Sequence, residues 1–246
     1  MNRNDYHGRI FWLFGNNDWK VTHAACALSR PGDVFLDIGA NHGTVGFAVG
    51  RIVGPEGHIH MFELQAYLAR RLRGVVEQNA LGNVTVHEAA LLDRDGETTM
   101  SMPRCYSSMA SIMAEMQSDS RFTERVTVRT ADTRPYVESL TADRPFGIKI
   151  DIEGAEPLVL ERLIDHPSLR FILFEGDKNQ RALFDMLTGN DFAIFGLSKS
   201  VTVAQARRVE VFEAWRAHQD FIAARLAGDW VRGEIPVSEL ATALAR

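Results

Sequence analysis

Val34-Phe35-Leu36-Asp37-Ile38-Gly39-Ala40-Asn41-His42-Gly43, running on into Thr44 to Val53, is the stretch that decides the fold. Val34 to Ile38 is apolar apart from Asp37, rich in branched and aromatic residues, and preceded by the turn pair Pro31-Gly32. A short, nearly continuous apolar run of this kind is the pattern of a strand buried on both faces. From Thr44 the spacing changes. Val45, Val49, Ile52 and Val53 fall on one side of a helix, which Gly54-Pro55-Glu56-Gly57 stops. Gly39 and Gly43 sit at the turn between the two, where glycine lets the backbone come close to a ligand and the helix start offers free N–H groups.

Beyond it, His58 to Phe62 predicts a second strand, and Ala66 to Asn79 an amphipathic helix with Leu68, Leu72, Val75 and Val76 on one stripe. Val84 to Glu88 predicts a third strand. The order β-α-β-α-β implies a mostly parallel sheet with helices on both faces. Phe146 to Ile150, Phe171 to Phe174 and Phe192 to Phe195 predict further strands, and Glu156 to Leu163 a helix with Pro157 in its first turn. Residues 97–130 break the alternation, with short strands at Thr98 to Met102 and Arg125 to Arg129 around a Ser- and Met-rich segment. Residues 202–246 read as a helical tail, amphipathic over Val211 to Leu226 and Ser238 to Leu244. The expectation is one α/β domain of the Rossmann-like type: a capping segment 1–31, a core 32–200 and the tail 201–246.

Composition narrows the function classes. Of 246 residues, 46% are hydrophobic and 24% charged, ordinary for a soluble globular chain. The formal net charge of -5 offers no overall attraction to nucleic acid or anionic lipid, so neither is expected as a partner. Cys26 and Cys105 are too few for a disulfide framework. The apolar patch Ile10 to Phe14 is too short for a signal core, and no run spans a bilayer, so a cytoplasmic location is expected.

The ligand of the glycine turn follows from its chemistry. An acid closing the second strand, about 20 residues past the glycines, holds ribose hydroxyls in adenosine-binding folds. Glu63 fills that place. The loop reads G-x-N-x-G rather than the dinucleotide G-x-G-x-x-G, and Asp37 precedes it. A carboxylate there opposes a pyrophosphate but suits the ammonium and sulfonium of S-adenosyl-L-methionine, unless Asp37 only anchors loop N–H groups. The expected cofactor is S-adenosyl-L-methionine, with Asp37, Gly39, Ala40, Asn41, Gly43, Glu63, Ala89 and Asp151 as its binding residues. A nicotinamide-dependent oxidoreductase is the alternative. A catalytically silent adenosyl-binding scaffold working through the tail is another.

Several blocks together resemble the FkbM family of methyltransferases. They are Asp37 to Gly43, Glu63, Asn79-Ala80-Leu81-Gly82-Asn83, Ala90 to Gly96, Thr130-Ala131-Asp132, Lys149-Ile150-Asp151-Ile152-Glu153-Gly154-Ala155-Glu156, and Phe174-Glu175. The likeness spans residues 32–197, and the block Lys149 to Glu156 is its most specific part. Ala131 stands where the family usually has Leu, His42 varies the loop, and the tail lies outside the pattern. The resemblance implies a class I methyltransferase fold and methyl transfer, commonly to oxygen of a natural-product or sugar hydroxyl.

Asp151 and Glu153 end a strand beside the glycine turn, where open α/β sheets bind ligands. A hydroxyl is a poor nucleophile until a carboxylate begins to take its proton. Asp151 is the first candidate for that role and Glu153 the second, although either could bind the cofactor ammonium or an acceptor hydroxyl. Glu156 is read mainly as stabilising its helix start, and Lys149 as one half of a buried ion pair. Glu175 and Tyr106 are candidate acceptor contacts. Asp151, Glu153, Glu175 and Asp177 could in principle hold Mg²⁺, but no metal is expected, and His58 and His60 lack further ligands nearby. Met109, Met113 and Met116 are either core positions of a short helix or part of an acceptor lid. Trp12, Phe14 and Trp19 either cap the cofactor cleft or pack on the sheet, and packing is the first reading. The tail is a possible interface between copies of the chain or a cover over the acceptor.

Overall fold

The computed structural model describes residues 19–103, 110–113, 120–176, 180–199, 203–228 and 233–244, and singly Arg9 and Leu13. Tyr106, Cys105, Met109, Met116, Asp177, Trp12, Phe14 and Trp230 lie outside them. The elements in chain order are α1 (Trp19–Leu28), β1 (Val34–Ile38), α2 (Thr44–Val53), β2 (His58–Phe62), α3 (Ala66–Gln78), β3 (Val84–His87), β4 (Ala90–Leu92), β5 (Gly96–Met102) and β6 (Glu124–Asp132). Then follow α4 (Thr133–Thr141), β7 (Phe146–Ile150), α5 (Glu156–Leu160), β8 (Leu169–Glu175), α6 (Arg181–Gly189) and β9 (Ala193–Lys199). The chain closes with β10 (Ala204–Arg208), α7 (Phe212–Trp215), β11 (Asp220–Ala224), β12 (Glu234–Pro236) and α8 (Val237–Ala243).

Nine strands form the main sheet, in the order β12-β10-β9-β11-β8-β7-β1-β2-β3, and β4-β6-β5 form a second, three-stranded sheet. The strands from β3 to β8 pair in parallel, as their apolar runs predict. Beyond β8 the sheet is mixed, because β11 runs antiparallel to both β8 and β9, and β10 antiparallel to β9 and β12. Every residue of β1 is buried. Its alternate side chains join different cores. Val34, Leu36 and Ile38 pack toward α4, α5 and α6, while Phe35 packs toward α1, α2 and α8. The helices therefore cover both faces.

The helical reading of Val211 to Leu226 is corrected. Only Phe212–Trp215 is helical, and Asp220–Ala224 is a strand wedged between β8 and β9. Alanine favours helix, but here Phe221 and Ala223 enter one core and Ile222 and Ala224 the other, all fully buried. Pairing on both edges and burial on both faces override that weak propensity. The second amphipathic stretch does form α8. The helical spacing of the methionines also fails where it can be followed: Ser111 makes a two-way backbone bridge with Ser101. Among the described residues, no helix is long and apolar enough to cross a membrane.

Register sets up one edge of the sheet. Ile38 lies opposite both Phe62 and Ile150, and Ile150 opposite Phe174. The next residue of each strand is thus Gly39, Glu63, Asp151 or Glu175, side by side at the carboxyl edge. The chain order reverses between β1 and β7, the place where open α/β sheets leave a crevice.

Candidate active site

Gly39 opens the turn with φ 76°. A Cβ at this position would overlap the carbonyl oxygen of Asp151, so only glycine lets β1 and β7 leave the sheet in such close contact. Asn41 is also left-handed, at φ 49°, a conformation asparagine tolerates better than most residues. Its N–H donates to Glu63 Oε2 at 2.7 Å, and Gln65 N–H donates to Oε1 at 2.8 Å. Glu63 is 5% exposed. Burial pushes its carboxyl up to about 7 against the pull of these two N–H groups. Each oxygen keeps a second lone pair for a ligand donor.

Beneath the turn, Asp37 and Lys149 form a buried ion pair with Nζ 3.5 Å from Oδ1. Lys149 also donates to Gly39 O at 2.7 Å, and Asp37 Oδ2 accepts Gly46 N–H at 2.9 Å. Burial works to lower the Lys149 ammonium, but the carboxylates of Asp37, Asp151 and Glu63 outweigh it and hold it above its ordinary value. The anchoring reading of Asp37 thus describes its place: it is 1% exposed and absent from the walls of both clefts described below. Gly43 is absent from them too, and begins α2 with φ 74° against Phe47 and Leu72.

Two clefts meet at Gly39, Asn41 and Asp151. The first, about 700 Å³ counting its open mouth, has apolar walls from Ile38, Phe62, Leu64, Ala89, Leu91, Met100 and Ile112, with Glu63, Asp151 and Glu153 on its polar side. The second, about 1070 Å³, lies toward α1 and the start of β11 and includes Ala40, Lys149, Glu175, Gln219 and Asp220. The structure therefore brings Gly39, Ala40, Asn41, Glu63, Ala89, Asp151, Glu153 and Glu175 to one region. Sequence reasoning missed Met100 and Ile112, which the second sheet and residues 110–113 supply. It also missed Lys20, Gln219 and Asp220, which arrive through α1 and β11. No local signal in the sequence pointed to any of them.

Glu153 occupies a left-handed conformation, φ 53°, ahead of Gly154 at φ 96°. Ser111 Oγ–H donates to its carbonyl at 3.1 Å. Burial, followed by the charges of Asp151, Glu175 and Glu156, pushes its carboxyl up to about 7. Glu156 turns inward and accepts the N–H groups of Ile152 and Gly154, at 2.9 and 3.0 Å, so it holds the turn rather than facing a ligand.

Next to the first cleft, His60 Nδ1 and His87 Nε2 lie 3.0 Å apart, as do His87 Nδ1 and the Tyr136 hydroxyl. His60 also bonds the backbone of Leu140. These partners dictate one chain: Tyr136 O–H donates to His87, His87 Nε2–H to His60, and His60 Nε2–H to the Leu140 carbonyl. Burial lowers His60 to about 3 and His87 to about 4, so both rings are neutral. His87 stacks on Phe62 at 4.7 Å and stiffens that wall. Among the described residues, no three His, Cys, Asp or Glu side chains are grouped to hold a metal ion.

A glycine turn pressed on Asp151, a buried acid closing β2, an unpartnered Asn41 Oδ1 and an apolar slot between them fit the adenosyl, ribose and ammonium groups of S-adenosyl-L-methionine. The class defined is the Rossmann-like methyltransferase that uses this cofactor. The model of the methyltransferase FkbM domain matches residues 37–218, and the chain belongs to that family. The nicotinamide reading falls with this. Among solved structures, the chain is similar to a SAM-dependent O-methyltransferase from Thermotoga maritima, at 10% identity over 90% of this chain and 71% of that one, TM-score 0.48. It is similar to a precorrin-6y C5,15-methyltransferase from Geobacter metallireducens GS-15, at 13% identity over 83% and 87%, TM-score 0.45. It is also similar to Aeropyrum pernix fibrillarin with natively bound S-adenosyl-L-methionine, at 15% over 84% and 76%, TM-score 0.43. No curated protein sequence matches the chain.

Proposed function

We propose that the chain methylates an oxygen of a small hydroxylated acceptor, a natural product or sugar, and that Asp151 takes the proton of the acceptor hydroxyl. The observation that carries this reading is the place of Asp151. Of the carboxylates in the site, it alone lines both clefts, beside the glycine turn. The first cleft is read as the cofactor cleft. There Glu63 holds the ribose hydroxyls, Gly39 and Ala89 make room for the adenosyl group, and Asn41 Oδ1 accepts from the ammonium. When bound, the cofactor supplies a methyl group already activated on sulfonium. What remains for the protein is alignment and proton removal. Asp151 lies 3.8 Å from Lys149 Nζ, close enough for the ammonium to steady its charge and far enough to leave the carboxylate open to an acceptor. Glu153, at about 7, is the second candidate base. A net charge of -5 supports a small acceptor over nucleic acid.

The test is methyl transfer from isotopically labelled cofactor to a panel of hydroxylated acceptors, with the modified atom located by mass spectrometry and NMR. Asp151→Asn is expected to lower turnover by ~10²–10⁴, the usual worth of a general base, and to weaken S-adenosylhomocysteine binding by a far smaller factor. Wild-type turnover in Asp151→Asn, with loss in Glu153→Gln instead, moves the base to Glu153. Methyl found on nitrogen refutes the oxygen reading. Cofactor binding without transfer to any acceptor favours the scaffold reading.

A further inference from the structure

We infer that Ser111 is a positioning residue: it ties residues 110–113, part of the wall of the first cleft, to the turn that carries Asp151 and Glu153, so that a cofactor filling the cleft also sets that turn. The inference rests on the methyltransferase reading above, which puts S-adenosyl-L-methionine in the first cleft, and adds to it a residue that lines neither cleft. Residues 110–113 join the second sheet at Ser111. Its N–H donates to Ser101 O at 2.9 Å, and Ser101 N–H donates to Ser111 O at 2.8 Å. Successive side chains of such an extended bridge point to opposite sides. Ala110 and Ile112 line the first cleft beside Met100, while Ser111 between them is 2% exposed and turns toward the end of β7.

The Ser111 hydroxyl has one proton, and its neighbours fix where that proton goes. Oγ accepts the Met113 N–H at 3.2 Å, and its own O–H donates to the Glu153 carbonyl at 3.1 Å. That carbonyl and the Gly154 N–H belong to one trans peptide plane and point opposite ways. The N–H end donates to Glu156 Oε2 at 3.0 Å. The plane between Glu153 and Gly154 is thus gripped at both ends, by the acid of α5 and by Ser111. The grip matters because the backbone alone does not hold this plane. Glu153 stands at φ 53°, uncommon for a residue with a side chain, and Gly154 at φ 96° accepts either orientation. The Glu153 carboxyl, a wall of the first cleft, is carried by the residue whose ψ this plane sets. Met113 gives a second contact, since a Cβ at Gly154 would lie 3.8 Å from its Cγ. An adenosyl group packed on Met100 and Ile112 steadies residues 110–113, and through Ser111 it steadies the Glu153–Gly154 plane.

The test uses the full chain, with S-adenosylhomocysteine as the probe. Affinity is read by calorimetry, and amide exchange residue by residue by NMR. In the wild type the probe is expected to bind and to slow exchange both within 110–113 and at Gly154. In Ser111→Ala it is expected still to bind and still to slow 110–113, while the slowing at Gly154 shrinks by about 2- to 10-fold, the worth of one neutral hydrogen bond. A merely structural role for Ser111 would change exchange in the free protein and leave the probe's effect at Gly154 in place. Ser111→Cys keeps the shape and weakens the donor, and it replaces the alanine variant if that one does not fold. No binding to the wild type refutes the cofactor reading, and this inference with it. Binding that leaves Gly154 unaffected in the wild type keeps the cofactor reading and overturns the coupling. So does an equal slowing at Gly154 in the wild type and the Ser111 variant.

Discussion

Replacing Glu63 by glutamine keeps the side chain's shape and removes its charge. In the native chain two oxygens serve two backbone donors, Asn41 N–H at 2.7 Å and Gln65 N–H at 2.8 Å. Glutamine has one oxygen for those two, and its NH₂ must face the other. A buried donor left without an acceptor costs about 1–3 kcal/mol of stability. The ribose loses one hydrogen bond to a charged acceptor, about 1.5–3 kcal/mol, or roughly 10- to 100-fold in affinity. The pH dependence adds a second signature. With the carboxyl at about 7, only the ionised form accepts from both hydroxyls. Wild-type affinity for S-adenosylhomocysteine is then expected to fall about tenfold from about pH 8 to about pH 6, and the variant to be flat. Stability carries the opposite sign. Between 4.5, the ordinary value, and about 7, the folded chain holds a proton that the unfolded chain releases. The Glu63 contribution is fullest below that window and is lost as pH rises through it. Calorimetry across pH and urea melts read both effects. A glutamine variant that binds as tightly as wild type, or keeps the tenfold slope, refutes the assignment of Glu63 to the ribose.

Gly39→Ala is expected to abolish S-adenosylhomocysteine binding, since its Cβ would meet the Asp151 carbonyl oxygen; unchanged affinity by calorimetry would contradict that close approach. Asp37→Asn strips a buried ammonium of its nearest carboxylate and is expected to cost about 3–5 kcal/mol in urea unfolding; a loss under about 1 kcal/mol would mean Lys149 is supported elsewhere. His60 and His87 are expected to give neutral, Nε2-protonated signals in ¹⁵N NMR at about pH 6, and a midpoint near the ordinary 6.5 for either ring would break the proposed chain. Because the unfolded rings protonate first, acid below 6.5 is expected to lower stability through this pair.

The geometry around the glycine turn was legible because its constraints are local. A glycine that must touch a neighbouring strand, an acid one residue past a strand end and a Lys-x-Asp step are all written in adjacent letters. Strands β1, β2 and β7 begin and end where their apolar runs do. The second cleft was less legible because its parts meet only through pairing. Gln219 and Asp220 reach Glu175 through the antiparallel register of β11 on β8, and Lys20 comes from an N-terminal helix. Nothing within residues 211–226 distinguishes an amphipathic helix from a strand with two buried faces. Alanine at 223 and 224 favours the wrong answer until neighbours on both edges are known. Tyr136 and His87 are likewise joined only when α4 docks beside β3.

The placement of β11 bears on the order in which the chain can close. Synthesis delivers β8 and then β9 before the strand that belongs between them. Until Ala224 has emerged, their facing edges stand two strand spacings apart, roughly 10 Å, with backbone groups unpaired on both sides. Such edges recruit whatever extended segment is at hand, another nascent chain included. The molecule is therefore sealed from within by one of its last-made strands, and a ribosome pausing before residue 224 would hold it open at the middle of its sheet rather than at its rim.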